Sequence, residues 1–291
     1  AQPGDFVRLP GQDVDVGTVV ADVGSELTPA LVGVLAAQGV TSVLVHPRPT
    51  VGVLSTGDEL VSDGGPLSPG KIRDANRHTL LALVRREGLR GVDLGIVGDD
   101  DAAIVEALTR GATTCTAVVT SGGVSVGDLD VVRVVLEKLS DGTMRWMQVA
   151  IRPAKPLAFG LLAGSGTPIF GLPGNPVSAM VSFELFVRPA LRRLAGHATV
   201  DRPVVPALAE HDIHRHPDGK LHLLRALLTL DAEGVWLVRT TDGQESHQLH
   251  SMAAANALAL VPDGPGVSAG DRVDVVLLAP DRLDMDRGVW G

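Results

Sequence analysis

Between Thr50 and Gly196 short, unbroken apolar runs alternate with longer amphipathic ones, and this alternation limits the fold more than any other feature of the chain. VGVLS, VDLGIV and TAVVTS are continuous apolar runs of strand length, the pattern of strands covered on both faces. After the first two, ANRHTLLALVRREG and DAAIVEALTRG place apolar residues at helical spacing and end in glycine, and DVVRVVLEKLS follows the third. Such alternation with short connections predicts an α/β fold, a three-layer αβα unit around a mostly parallel sheet. MRWMQVA, PLAFGLL and TPIFGL add strands at hairpin-like spacing, and PVSAMVSFELFVRPALRRLAG closes the unit as one long helix.

The flanks differ in character. Residues 1–46 hold the apolar runs FVRL and GTVVADV, and then a helix signal in which Thr28 is the N-cap, Pro29 the first helical residue and Gly39 the stop. VTSVLVH reads as a strand, and His46-Pro47-Arg48-Pro49 as a stiff break between domains. After about residue 197, short apolar runs are separated by turns such as PDGK, DAEG and TDGQ, which predicts a small all-β barrel or sandwich. The expected division is 1–46, 47–197 and 198–281, with a polar tail over 282–291. Because FVRL follows so closely on Ala1, the chain is expected to begin mid-protein.

Composition narrows the function. Aromatic residues make up 3% and tyrosine is absent, so the core is built from Val, Leu, Ala and Ile, and base-stacking platforms are disfavoured. The net charge is -9 with no basic stripe, which argues against nucleic acid as a partner. Cys115, the only cysteine, lies in an apolar run and reads as a buried thiol. With no stretch of about 20 apolar residues, the chain is expected to be soluble and cytoplasmic.

In an open α/β sheet ligands bind beyond the carboxyl ends of the strands. The segments there are Thr56-Gly57-Asp58-Glu59, Gly98-Asp99-Asp100-Asp101, a glycine-rich loop from Ser121 through Asp130, and Pro173-Gly174-Asn175-Pro176-Val177-Ser178. All should meet on one rim. SGGVSVG can present backbone N–H groups and a hydroxyl to a phosphate, although a glycine–serine turn is also simply a turn. Glu59, Asp99 and Asp130 suit a Mg²⁺ ion shared with substrate phosphate, while the Asp99–Asp101 run equally suits helix capping. Arg152-Pro153-Ala154-Lys155-Pro156 holds two cations in a stiff turn, either a surface pair or a seat for an oxyanion.

Taken together, STGDEL, SGGVSVGDLD, AIRPAKPLAFG and GLPGNPVSA resemble, in order and spacing, the molybdopterin-binding domain of molybdopterin molybdenumtransferases and of gephyrin-like E domains. GQDVDVGTVVADVGSELTPALVGVLAAQGVTSVLVH is similar to the second part of that family's domain I, and DGKLHLLRALL and QESHQLHSMAAANALALVP to its C-terminal β domain. Nothing matches the N-terminal part of domain I or domain II. The resemblance implies a fold with a partial domain I, the αβα unit and a C-terminal β domain. It also implies hydrolysis of adenylylated molybdopterin with release of AMP and insertion of molybdate, with Mg²⁺ as cofactor.

By motif, Glu59, Asp99, Asp130 and Asp13 match acidic catalytic positions, the first three also metal ligands. Thr56, Ser121, Gly122, Gly123, Ser125, Gly127, Pro173, Gly174, Asn175 and Ser178 match the pterin phosphate surface. Arg152, Lys155, Pro156, Arg225 and Ser251 match molybdate-binding positions. Two departures stand out: Arg152 and Ala154 replace residues of the usual Lys-Pro-Gly-Lys-Pro, and Glu245 stands where relatives often carry a small residue. The resemblance further implies a homodimer and a handover from a molybdopterin adenylyltransferase. The alternative is a ligand-binding or scaffold protein that keeps the molybdopterin site without turnover.

Overall fold

The computed structural model describes residues 2–123 and 131–285. Its central sheet contains β1 (Thr50–Thr56), β2 (Arg90–Val97), β3 (Ala117–Ser121), β4 (Arg145–Gln148), β5 (Pro156–Leu162) and β6 (Thr167–Leu172), in the order β2-β1-β3-β6-β5-β4. The first four in that order are parallel, and β5 and β4 extend the sheet through antiparallel pairings. Period-two alternation divides the side chains between two cores. Ala117 and Val119 join Val51 and Val53 under Leu80 and Val84, whereas Val118 faces Leu54, Ile104 and Leu136 on the other side. Each such side chain taken from water contributes about 1.5–3 kcal/mol, so both faces must be covered, and the α/β class follows.

The helices sit where their apolar faces require. α1 is Pro29–Ala37, α2 Asn76–Arg86, α3 Asp101–Thr114 and α4 Val131–Leu139. The long closing segment is not one regular helix. Between Pro176–Ser182 and Arg188–Leu194 lies a π-helical stretch, Phe183–Val187. Pro189 supplies no N–H for Leu185, and the Arg188 N–H reaches back five residues to the Phe183 carbonyl, so the turn widens.

Five later strands, Val204–Ala209, Leu221–Leu230, Trp236–Thr240, Ala257–Val261 and Arg272–Leu277, pair into a closed ring. Closure removes the open edges, and alanines such as Ala207, Ala226 and Ala259 pack its interior. The ring is fused to the αβα unit. Ile151–Arg152 pairs in parallel with Leu221–His222, and Ile151, Val177 and Val181 share one core with Leu223, Leu258 and Val276.

Residues 2–46 depart from expectation. Neither FVRL nor VTSVLVH forms a strand. A strand needs a neighbour for its N–H and C=O groups, and the sheets described here pair with neither segment. α1 does form, with Thr28 Oγ1 accepting from Leu31 N, yet buries none of its residues. Phe6 and Val23 are 98% exposed.

A buried ionic cluster fastens the end of α2 to the closing helix and to the chain entering the barrel. Glu87 accepts from Arg202 Nη2 at 2.7 Å and stands 2.9 Å from Arg188 Nε and 3.4 Å from Arg192 Nη1, while Glu184 pairs with Arg86 and, at 2.9 Å, with Arg202 Nε. Burial pushes the Glu87 carboxyl up, but the Arg188 hydrogen bond and the charges of Arg202, Arg188 and Arg192 outweigh it and hold the carboxyl below its ordinary value. Its stabilisation is therefore complete above the unfolded pKa of about 4.3 and is lost as pH falls through the folded value. Glu87→Gln is expected to cost about 3 kcal/mol at pH 7, and the gap to the parent should narrow in acid. Coincident urea melts of the two proteins at pH 7 would count against this role.

Candidate active site

The carboxyl ends of the parallel strands are level, because Thr56 pairs with Val97, Ser55 with Ser121, and Ser121 with Leu172. This register places the loops starting at Thr56, Val97, Ser121 and Leu172 on one rim. Thr56 Oγ1 donates to the Ser121 carbonyl at 3.4 Å, and Gly122 N donates to the Leu172 carbonyl at 3.1 Å. Glycine at 122 is a steric requirement. Its φ is +97°, and a Cβ there would lie 2.5 Å from the Thr56 carbonyl oxygen.

Asn76, which belongs to none of the sequence motifs, ties two loops together. Its Nδ2 donates to Ser121 Oγ at 2.6 Å and to the Gly174 carbonyl at 2.7 Å. Asp74 secures the start of that helix by accepting from Ser55 Oγ at 3.0 Å, Arg77 N at 3.1 Å and Arg77 Nε at 2.9 Å. No periodicity marks Asn76, because its role depends on partners 45 and 98 residues away.

The acidic positions separate. Asp100 caps α3, its Oδ1 accepting from Ala103 N at 2.8 Å, so the capping reading holds there. Asp99 is exposed at the end of β2, and its N–H donates to Asp58 Oδ1 at 3.0 Å. The Glu59 carboxylate is exposed and folds back over Gly57, whose φ is +140°. Asp130, Ser125 and Gly127 lie outside the described residues. Asp13 is not brought to this rim; it lines a separate surface hollow with Arg8, Gln12 and Gln38. Among the described residues no three His, Cys, Asp or Glu side chains gather closely enough to hold a metal ion.

The cationic positions meet at the seam with the barrel. Arg152 and Lys155 are exposed and, with Pro156, line a cavity of about 280 Å³ that also receives Ser178, Lys220 and Ser246. Ala154 adopts φ +77°, a left-handed conformation costing a side-chain-bearing residue about 1–2 kcal/mol, and its methyl is buried in the core shared by the two units. The adjoining cavity, about 490 Å³, shares Arg152, Gln244 and Glu245 with the first and adds Arg225, Arg215 and His222. Arg225 is fully buried. Its Nε donates to Ser251 Oγ at 3.1 Å and its Nη2 to the carbonyls of Gly243 at 2.9 Å and Glu245 at 3.1 Å, while Nη1 meets no acceptor among the described residues. Burial lowers its pKa to about 10 against the opposing pull of Glu245, so it stays charged at neutral pH.

Two further contacts lock the barrel loop onto the rim. Asn175 Nδ2 donates to Ser246 Oγ at 2.8 Å, and Val177 N donates to the Ser246 carbonyl at 3.0 Å. Lys220 is steadied by Asp218 at 3.1 Å. Burial acts to raise the Asp218 carboxyl, but hydrogen bonds from His222 and Lys220 bring it down to about 2. Lys220, Ser246 and Asp218 lie in segments that resemble the family's C-terminal β domain, but are not singled out there as site residues.

Comparison with known proteins gives this geometry a context. Residues 52–193 match the family model described as a probable molybdopterin binding domain, and residues 207–278 the MoeA C-terminal region (domain IV). The chain is 40% identical over 280 residues to molybdopterin molybdenumtransferase 2 of Mycobacterium tuberculosis, covering 94% of this chain and 68% of that protein. It is 36% identical to the molybdopterin molybdenumtransferase of Haemophilus influenzae, with coverages of 94% and 67%. The Nostoc sp. protein of the same name is 37% identical, with coverages of 95% and 64%, so the chain spans about two thirds of the length of these relatives. A molybdopterin biosynthesis MoeA protein from Pyrococcus horikoshii superposes with a TM-score of 0.74 at 27% identity, covering 92% of this chain and 64% of that one.

Asn76→Ala is expected to destabilise the protein by about 1–2 kcal/mol and to speed amide exchange at Gly122. Unchanged exchange there would show that the two loops hold without it.

Proposed function

The chain belongs to the molybdopterin molybdenumtransferase family, and on that premise we propose that its rim and seam form one cleft for inserting molybdate into adenylylated molybdopterin, with release of AMP. The observation that carries the reading is that the Gly174 loop, tied to Ser121 through Asn76, shares one cavity with Arg152 and Lys155 through Ser178 and is bonded at Asn175 to the barrel loop that folds around Arg225. The two loops suit the phosphates of the pterin nucleotide, since glycine-rich turns can present backbone N–H groups to an anion and a Cβ at Gly174 would meet nothing nearer than 4.0 Å. Arg152 and Lys155 suit molybdate, a tetrahedral dianion that favours cations and hydroxyl donors. Arg225 keeps the barrel loop in place, charged and with its Nη1 unmatched among the described residues.

Magnesium belongs to the same reading. Glu59 and Asp99 are exposed carboxylates, and among the described residues neither forms an ion pair. Mg²⁺ commonly uses one or two carboxylates with substrate phosphate oxygens, and Glu59 and Asp99 would hold it. Bound there, the ion would neutralise phosphate charge.

We further propose a homodimer, supported by the uncovered apolar side chains of Phe6, Val16, Val23 and Leu44. An adenylyltransferase that supplies the nucleotide-bearing pterin is the partner this substrate requires. No helix among the described residues is long and apolar enough to cross a membrane, and a cytoplasmic setting fits the reading.

Incubated with adenylylated molybdopterin, molybdate and Mg²⁺, the protein is expected to release AMP as molybdenum enters the pterin. Lys155→Ala should weaken molybdate binding about tenfold or more while leaving the melting temperature unchanged. Binding of the pterin without AMP release would favour the scaffold alternative, and absence of both would remove the proposal.

A further inference from the structure

The wall between the two seam cavities is formed in part by a carboxylate. Glu245 lines both cavities, as does Arg152, and its Oε2 lies 3.8 Å from Arg152 Nη2. Both side chains are more than half exposed, 56% for Arg152 and 62% for Glu245, so the pair itself is weak. Its charge is not negligible to a ligand. Any anion that engages Arg152 from either cavity shares that guanidinium with Glu245 and sits close to its carboxylate. The same carboxylate acts on Arg225, across the larger cavity.

We propose that Glu245 is a built-in competitor for oxyanions in this cleft and discriminates against doubly charged ones. The inference rests on the reading of the seam as an oxyanion site. Coulomb repulsion scales with ligand charge, so a tetrahedral dianion loses twice as much binding free energy to Glu245 as a monoanion of the same shape. The cations facing the cleft are Arg152, Lys155, Lys220, Arg215 and Arg225. Lys220 and Arg215 already have Asp218 as counter-charge, and Arg215 has Asp263 as well. Arg152 has only Glu245 among the described residues. Lys155 forms no ion pair among the described residues, so Arg152 and Lys155 are the two exposed cations of the cleft without a counter-charge elsewhere, and Glu245 acts at the first of them.

The side chain can be neutralised without disturbing the loop. The Glu245 carbonyl accepts from Arg225 Nη2 at 3.1 Å, and its N–H donates to Gln248 Oε1 at 2.8 Å, both of them backbone contacts of this residue. Glu245→Gln should therefore fold as the parent does, and Glu245→Ser provides a second variant if it does not.

Titration calorimetry at low ionic strength with molybdate, a dianion, and perrhenate, a tetrahedral monoanion, tests the idea. In Glu245→Gln, molybdate affinity should rise roughly tenfold and perrhenate affinity about threefold, and both gains should shrink with added salt. Equal gains for the two anions would assign Glu245 a steric role and overturn the proposal, as would no gain in a parent that binds molybdate. If neither parent nor variant binds either anion, the oxyanion reading of the seam fails and this inference fails with it.

Discussion

A guanidinium held wholly out of water is costly unless its N–H groups are met, and much of the seam is organised to meet those of Arg225. Its Nε and Nη2 are met by Ser251 Oγ and by the carbonyls of Gly243 and Glu245, so the loop after Thr240 must fold around it. That loop then presents Ser246 to Asn175 and Val177 on the αβα unit. Remove the buried charge and the loop loses its centre, and with it the surface facing Lys155. One interaction inside the barrel thus fixes the geometry of a cleft that lies mostly outside it.

The other half of the cleft depends on register. Parallel pairing sets Thr56, Val97, Ser121 and Leu172 at one level, so four loops far apart in the chain open on the same side. Asn76 then draws two of them together with a single amide. Rigid elements carry the loops, side-chain hydrogen bonds trim their positions, and the buried Asp74–Arg77 pair secures the helix that carries Asn76. A larger buried ionic cluster lies around Glu87 and Glu184, where it joins the αβα unit to the chain that leads into the barrel.

The described part of residues 1–46 stands apart from this economy. It contributes one helix and a set of apolar side chains that none of the described residues covers. Asp13 lies within it, away from the rim. FVRL and VTSVLVH have the composition of strands and no partner to make them so, a reminder that β-structure is a property of neighbours as much as of sequence.

The alternation of apolar runs and helical patterns by itself determined the αβα unit, its mostly parallel sheet and the all-β domain that follows. Those patterns report which faces must be buried, and removing apolar surface from water is the dominant drive to fold. The glycines at 122 and 174 and the cations at 152 and 155 were likewise legible, since each sits in a short motif whose chemistry is local. Only the tertiary structure decided that Arg225 and Ser251 touch, that Asn76 and Ser246 are the ties between loops, that Asp13 stands off the rim, and that Glu245 faces Arg152. These are contacts between residues distant in sequence, made by single polar side chains that leave no periodicity behind. Polar contacts of that kind are chosen by geometry after the core has formed, and so they cannot be read before it.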